Sequence, residues 1–305
     1  MPTSERYPVK DFLDYLTFQK RYSANTVISY ENDLHAFFEF LFLEYKITDL
    51  KEITASIVRT WLASLKENKC SSKTVNRKIS ALKSFFKYQL KMNHISISPV
   101  AAIASLKVSR KLPSFIQEKE IKKLFDNKDE KYFDKSFKSK TDFLIFEILY
   151  QTGIRRNELI HLKESDVDKS SGIIKVLGKG NKERFIPVSN QLLKMIEEYI
   201  SEKKKELSEP VEDFLLVNQK GKKLDPKYIY NIVKQNLSKV STNERKSPHI
   251  LRHSFATHLT NNGAEINAIK ELLGHSSLAS TQIYTNNSIE KLKEVYKQAH
   301  PKSEG

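Results

Sequence analysis

Eight glycines in 305 residues leave this chain little scope for tight β-turns or glycine-rich phosphate loops; average usage of roughly 7% would supply about 20. Helical periodicity fills the space instead. From Val9 to about Ala104 apolar residues recur at three- and four-residue spacing, beginning with Phe12, Leu13, Leu16 and Phe18. Ser23-Ala24-Asn25-Thr26 supplies N-cap chemistry for a long helix with a stripe of Val27, Tyr30, Leu34, Phe37, Phe38 and Leu41. A third helix is expected over Ser56 to Glu67, and a fourth over Ser72 to Met92 with Val75, Ile79, Leu82, Phe86 and Leu90 inward.

The length suits two domains at about 150 residues each. Leu106-Lys107-Val108-Ser109-Arg110-Lys111-Leu112-Pro113 breaks the periodicity, is cationic and ends in proline. Residues 106–114 therefore read as a linker between a first domain, 1–105, and a second, 115–305. Beyond it, Gln117 to Phe125 and Asp142 to Gln151 are helical in pattern. Two strands follow, Ile173 to Leu177 and Lys182 to Val188, joined by Gly178-Lys179-Gly180-Asn181, with Pro187 marking an edge or strand end. Helical pattern resumes over Gln191–Leu207, Asp225–Lys239, Pro248–Asn261, Ile266–Leu273 and Ile289–Gln298. The expected fold class is mainly α with a small antiparallel β-sheet.

Lys+Arg 52 against Asp+Glu 37 gives a formal charge of +15, which calls for a polyanionic partner. With 39% hydrophobic residues, 17 Phe and 13 Tyr, that charge sits on a folded body rather than on a disordered tail. Lys83, Lys87 and Lys91 fall four apart on the fourth helix, as do Lys73 and Arg77 one turn earlier. Such a stripe is either a solvated face or a track for phosphates. A basic linker between two basic domains would let the pair close round a duplex as a clamp. Cys70 is the only cysteine, so neither an intrachain disulfide nor a cysteine zinc site is available. No signal peptide or membrane span is recognisable: residues 1–11 are polar, and the most apolar run, residues 37–43, is short and contains Glu39. A cytoplasmic location is expected.

Chemistry concentrates in the second domain. Ser247-Pro248 opens a helix with serine as N-cap and proline at its first position, and His249 and Arg252 lie three apart on one face. A helix N-terminus beside an imidazole and a guanidinium suits an oxyanion or phosphate; taken singly, the pair also reads as a surface Arg and a core His. Thr152-Gly153-Ile154-Arg155-Arg156-Asn157-Glu158-Leu159 puts two arginines after a helix end. Lys179 projects from a hairpin tip, and Leu273-Gly274-His275 precedes Ile283-Tyr284-Thr285. Arginine forks, a lysine, two histidines and a tyrosine suit phosphoryl transfer to tyrosine, which needs charge stabilisation, a base, an acid and a nucleophile.

The order Thr-Gly-x-Arg-x-x-Glu-Leu, Gly-Lys-Gly, His-x-Leu-Arg-His, Leu-Gly-His and a tyrosine nine residues further on resembles that of tyrosine recombinases of the integrase family, most closely the Xer-type site-specific recombinases. The resemblance extends to the first domain, where Ser23-Ala24-Asn25-Thr26, Tyr30, Asp33-Leu34 and Phe37 are similar to the family's helical, SAM-like core-binding domain. It implies a two-domain DNA clamp whose α+β catalytic half carries the chemistry. It implies attack by Tyr284 on the scissile phosphate, giving a 3′-phosphotyrosyl link and a free 5′-hydroxyl. Arg155 and Arg252 would grip the non-bridging oxygens, Lys179 would protonate the leaving 5′-oxygen, His249 would serve as acid/base for Tyr284, and His275 would support the phosphate. Neither cofactor, metal nor ATP is implied.

Sequence alone leaves Arg155 and Arg156 as rival clamps; the family register selects Arg155. Glu158 is expected to fix the arginine loop, His253 and His258 to pack, and Lys182 and Arg184 to support DNA contact or solubility. Tyr228, Tyr230 and Tyr296 are expected to be packing residues. The amphipathic segment with Ile289, Leu292, Val295 and Tyr296 either covers its own core or, as the resemblance implies, docks (about 288–299) into a neighbouring subunit. The implied partners are a double-stranded DNA recombination site, a homo- or heterotetramer on two such sites, a paralogous recombinase and an activating DNA translocase, with no membrane. The role implied is resolution of chromosome or plasmid dimers, with integration or transposition of a mobile element as the alternative. Rival classes are a metalloenzyme built on His249 and His253, whose glutamate position is occupied by Ile250, a DNA-binding protein with an idle site, and a nicking-resealing enzyme of the type IB topoisomerase kind.

Overall fold

A computed structural model describes residues 7–108, 114–126, 136–178, 182–207, 213–274 and 286–303, and the chain divides into two units, Met1–Lys111 and Leu112–Gly305.

Hydroxyl caps start the three longest helices described in the first unit. Ser23 Oγ accepts from Thr26 N–H at 3.3 Å to open α2 (Ala24–Tyr45), Thr54 opens α3 (Ala55–Glu67), and Ser71 opens α4 (Ser72–Lys91). The preceding α1 (Val9–Asp14) runs directly into a π-helical turn, Tyr15–Gln19. That turn adds residues to the helical repeat. Leu16 stays buried, but Phe18, grouped with it by sequence spacing, is 74% exposed. The helices close on an aromatic core in which Phe37 meets Trp61 with centroids 4.9 Å apart and Phe38 meets Phe85 edge-on at 5.3 Å. Val75, Ile79, Leu82 and Phe86 of α4 face inward as their spacing predicts.

One acid lies in this core. Asp33, 1% exposed, is bonded by Arg77 Nη1 at 2.6 Å and Lys78 Nζ at 2.9 Å. Arg77 also donates to Ser29 Oγ at 2.8 Å while its side chain stays 43% exposed. All five cations of the basic stripe, Lys73, Arg77, Lys83, Lys87 and Lys91, are exposed, and Arg77 also pairs with the buried Asp33.

The second unit is built round α6 (Phe137–Thr152), which starts on the Ser136 cap, five residues before the apolar pattern begins. Every residue from Leu144 to Thr152 is buried. A helix covered on all sides has no amphipathic face to betray its length. Against it pack α7 (Arg156–His161), α8 (Asn190–Glu206), α9 (Pro226–Val240) and α10 (Pro248–Asn261), while α5 (Glu118–Asp126) packs on α9, and α11 (Ile266–Leu273) and α12 (Asn286–Ala299) pack on α10. The antiparallel sheet runs β1 (Val167–Asp168), β2 (Ile173–Leu177), β3 (Glu183–Pro187) in that order, with Ile174 opposite Ile186 and Val176 opposite Arg184. The two-residue β1 and one-and-a-half-turn α7 are too short to leave a periodic signal.

In the single chain α12 covers its own core through Leu292, Tyr296 and Ala299. Asn262 Nδ2 donates to Ala299 O at 2.8 Å, and beyond the helix Lys302 pairs with the buried Glu147. Tyr296 is buried and the Tyr228 hydroxyl donates to Asp142, but Tyr230 is 38% exposed rather than packed.

Candidate active site

The site is assembled by the ends of α6, α7 and α11 and by the start of α10. Helix α6 stops at Gly153, whose φ of +60° is the left-handed C-cap conformation. A Cβ there would lie 2.6 Å from Phe255 Cδ1, so only glycine lets α10 approach this closely. The chain turns, and Arg155, in extended conformation, becomes the N-cap residue of α7. Glu158 of α7 reaches back to accept from Arg155 N–H at 2.8 Å and from Arg155 Nη1 at 2.8 Å. Glu158 thus orients the arginine, as the sequence reading expects.

Arg184 occupies the other side of that carboxylate. Its Nη1 and Nη2 donate to Glu158 Oε1 and Oε2 at 3.2 and 2.7 Å, and its Nε donates to Leu272 O at 2.8 Å. Arg184 is 3% exposed. The expectation that it contacts DNA or aids solubility is therefore corrected: it is an internal member of the arginine cluster. A legible signal existed in the alternation of β3, where Arg184 and Ile186 share the inward face and Glu183 is exposed.

Arg252, on α10, completes the cluster. Its Nη1 donates to Gly153 O at 2.7 Å and its Nη2 to Leu273 O at 2.5 Å. Arg155 Nη2 reaches Gly274 O at 3.5 Å. Three consecutive carbonyls at the C-terminus of α11, those of Leu272, Leu273 and Gly274, thus each receive a different arginine, where the helix dipole favours cations and its last carbonyls lack partners. Three guanidiniums face one carboxylate. Burial, with Arg155 and Arg184 adding like-charge repulsion, pushes Arg252 down to about 10. Burial works against ionisation of Glu158, yet the hydrogen bonds and charge of Arg184, then those of Arg155, hold it below the usual carboxylate range. The uncompensated positive charge, part of it on an Arg155 side chain 38% exposed, suits a phosphate.

His249 is exposed in the first turn of α10, three residues before Arg252. Proline holds the first helical position as predicted, but the Ser247 side chain makes no cap bond; its carbonyl accepts from Ile250 N–H at 2.9 Å. Arg156 turns away to Pro226 O at 3.2 Å, which leaves Arg155 in the cluster. His258 is buried between Tyr150 Oη at 3.1 Å and Ile116 O at 2.9 Å, and His253 is half-buried. Lys182 is exposed.

Lys179, His275 and Tyr284 lie outside the described residues. The residues before the first two, Gly178 and Gly274, border the cluster: a Cβ on Gly178 would lie 3.5 Å from Arg184 Nη1, and one on Gly274 would lie 3.1 Å from Arg184 Cδ. Among the described residues no three His, Cys, Asp or Glu side chains are grouped to hold a metal ion, and no helix is long and apolar enough to cross a membrane.

Residues 114–291 match the phage integrase family and residues 9–93 match the phage integrase N-terminal SAM-like domain. The chain belongs to the phage integrase family and is a site-specific tyrosine recombinase of the Xer type. It is 39% identical to tyrosine recombinase XerC of Listeria innocua over 303 residues, covering 99% of this chain and 100% of the relative. It is 35% identical to tyrosine recombinase XerD of Listeria monocytogenes, covering 97% of this chain and 99% of the relative. Among solved structures it resembles XerH site-specific recombinase bound to palindromic difH substrate in a post-cleavage complex, at 28% identity and a TM-score of 0.70, covering 89% of this chain and 79% of that one.

Proposed function

We propose that this chain exchanges DNA strands at a specific site with Tyr284 as nucleophile and the Arg155–Arg252 pair as the phosphate clamp. The observation that carries the reading is the convergence of both arginines on the end of α11, with a net excess of positive charge. In the first step the Tyr284 oxygen bonds to the scissile phosphorus while the bond from phosphorus to the 5′-oxygen breaks. The tyrosine proton passes to His249, and the departing 5′-oxygen takes a proton from Lys179. Arg155 and Arg252 neutralise the non-bridging oxygens, where charge builds in the transition state, and His275 supports the same phosphate. The phosphotyrosine keeps the bond energy, so the reverse attack by a 5′-hydroxyl restores DNA.

The wider role follows the family. The chain acts in the cytoplasm on double-stranded DNA, as a tetramer spanning two sites, with α12 docking onto a neighbouring subunit in that assembly. It resolves chromosome or plasmid dimers, alongside a paralogous recombinase and under a DNA translocase. In support, the XerH complex contains the difH substrate, and relatives named XerC and XerD both match nearly the whole chain.

The test is a suicide duplex, nicked near the cleavage point, built on a site selected from random duplexes by binding to this protein. Wild type incubated with it in EDTA should form a protein–DNA adduct on a denaturing gel, and Tyr284→Phe should form none. An adduct with both proteins would remove Tyr284 from its role; an adduct with neither, on DNA that both bind, would remove the cleavage reading.

A further inference from the structure

Arg184 lies outside the residues to which the chemistry above assigns a role, yet its side chain makes three hydrogen bonds, against two each from the side chains of Arg155 and Arg252. Its guanidinium joins three elements. It forks onto both oxygens of Glu158 on α7, donates to Leu272 O at the end of α11, and springs from β3 beside the base of the hairpin. That base is closed by Gly178 N–H donating to Lys182 O at 2.8 Å. Gly178 and Gly274 lie on either approach to the guanidinium, and a Cβ on Gly274 would meet Arg184 Cδ, Nε and Nη1 at 3.1 to 3.3 Å. Two glycines of a chain that has only eight are thus placed against one side chain.

A buried Arg–Glu pair is a poor way to gain stability, because desolvation offsets most of the attraction and an apolar pair of equal volume would serve as well. What a guanidinium supplies here is geometry: planar, with donors in a fixed fork, it dictates where the Glu158 carboxylate sits. That carboxylate in turn holds both the backbone N–H and Nη1 of Arg155. Arg184 also fills the carbonyl next to the one that Arg252 uses.

We infer that Arg184 is a positioning residue for strand cleavage: acting through Glu158 and the end of α11, it sets the direction of Arg155 and ties the base of the β2–β3 hairpin to the phosphate clamp. This rests on the tyrosine recombinase mechanism proposed above. Arg184 does not touch the phosphate, and its removal acts on the rate of the bound complex rather than on DNA affinity.

The experiment compares wild type, Arg184→Gln and Arg184→Lys as full chains on the suicide duplex. Single-turnover cleavage is measured at saturating DNA, affinity by gel shift and folding by thermal melting. A displacement of the clamp by about 1 Å costs on the order of 100-fold in rate, so Arg184→Gln should fall by about that factor. Arg184→Lys reaches Glu158 or Leu272 O but not both, and should fall about 10-fold while remaining folded; both variants should keep DNA affinity within about threefold. Wild-type cleavage by a folded Arg184→Lys would overturn the positioning role, as would a loss confined to affinity, which would make Arg184 a DNA contact. Wild-type cleavage by Arg184→Lys together with an unfolded Arg184→Gln would reduce Arg184 to a charge needed for folding and overturn the proposal equally. Absence of an adduct with wild type would instead overturn the recombination mechanism itself.

Discussion

Gly153 links the stability of the second unit to the placement of the clamp, and Gly153→Ala separates the two costs of adding one methyl group. Its φ of +60° charges an L-residue about 1–2 kcal/mol for the left-handed conformation. The new Cβ would also sit 2.6 Å from Phe255 Cδ1 and 3.0 Å from Leu273 Cδ2. Phe255 is 0% exposed, so it cannot swing out to solvent, and overpacking adds about 1–3 kcal/mol. The total, about 2–5 kcal/mol, is a large part of a typical domain's 5–15 kcal/mol. Gly172 provides the control in the same unit: its φ is +65°, but the nearest atom to a Cβ, Val188 O, is 4.0 Å away, so Gly172→Ala carries the backbone cost alone. Urea unfolding followed by circular dichroism measures both. Trp61, the single tryptophan, lies in the first unit, so a transition that leaves its fluorescence unchanged belongs to the second. The expected result is a loss from Gly153→Ala exceeding that from Gly172→Ala by at least about 1 kcal/mol. Equal losses would refute the claim that the contact between α6 and α10 is tight and unyielding. Because the Gly153 carbonyl accepts from Arg252, the same variant should cleave more slowly even where it remains folded.

Two further outcomes follow from buried ionisable groups. Burial pushes the His300 imidazole down from 6.5 to about 3, and His258 is pushed down for the same reason. The unfolded chain therefore takes up protons that the folded chain refuses, so the stability both groups contribute is complete above pH 6.5 and is lost as pH falls; for His300 the loss continues toward pH 3, at up to about 1.4 kcal/mol per pH unit. His300→Phe, which keeps the ring stacked on Tyr296 at a centroid distance of 4.7 Å, should flatten that acid slope between pH 6.5 and 5 in urea melts; an unchanged slope would show that His300 titrates freely. In the first unit, Asp33→Asn leaves Arg77 and Lys78 without their carboxylate, but Arg77 is 43% exposed and can turn to water. The expected cost is about 1–3 kcal/mol, read by Trp61 fluorescence, and a neutral result would mean that the pair contributes nothing to the fold.

Local chemistry made much of this protein legible without coordinates. Hydroxyl caps followed by apolar residues at helical spacing specify α2, α3 and α4 because helix initiation and a buried stripe are properties of a single segment. The scarcity of glycine and the single Gly-Lys-Gly turn between two apolar runs give a mainly helical chain with one hairpin. The motif order from Thr152 to Tyr284 resembles that of the family to which the chain belongs, because such motifs are local strings that need no coordinates to be read. Contacts between distant segments left no such trace. The length of α6 was hidden because a helix buried on every side shows no period, Phe18 was misplaced because a π turn shifts the register, and the pairing of the exposed Arg77 with Asp33 left no trace because the two lie 44 residues apart. Arg184 is the sharpest case: strand alternation puts it on the same face as Ile186, but only the tertiary structure shows that its guanidinium meets Glu158 of α7 and the end of α11. Periodicity along a chain records which face of an element is apolar, whereas the partner that a buried charge meets is decided by the tertiary fold.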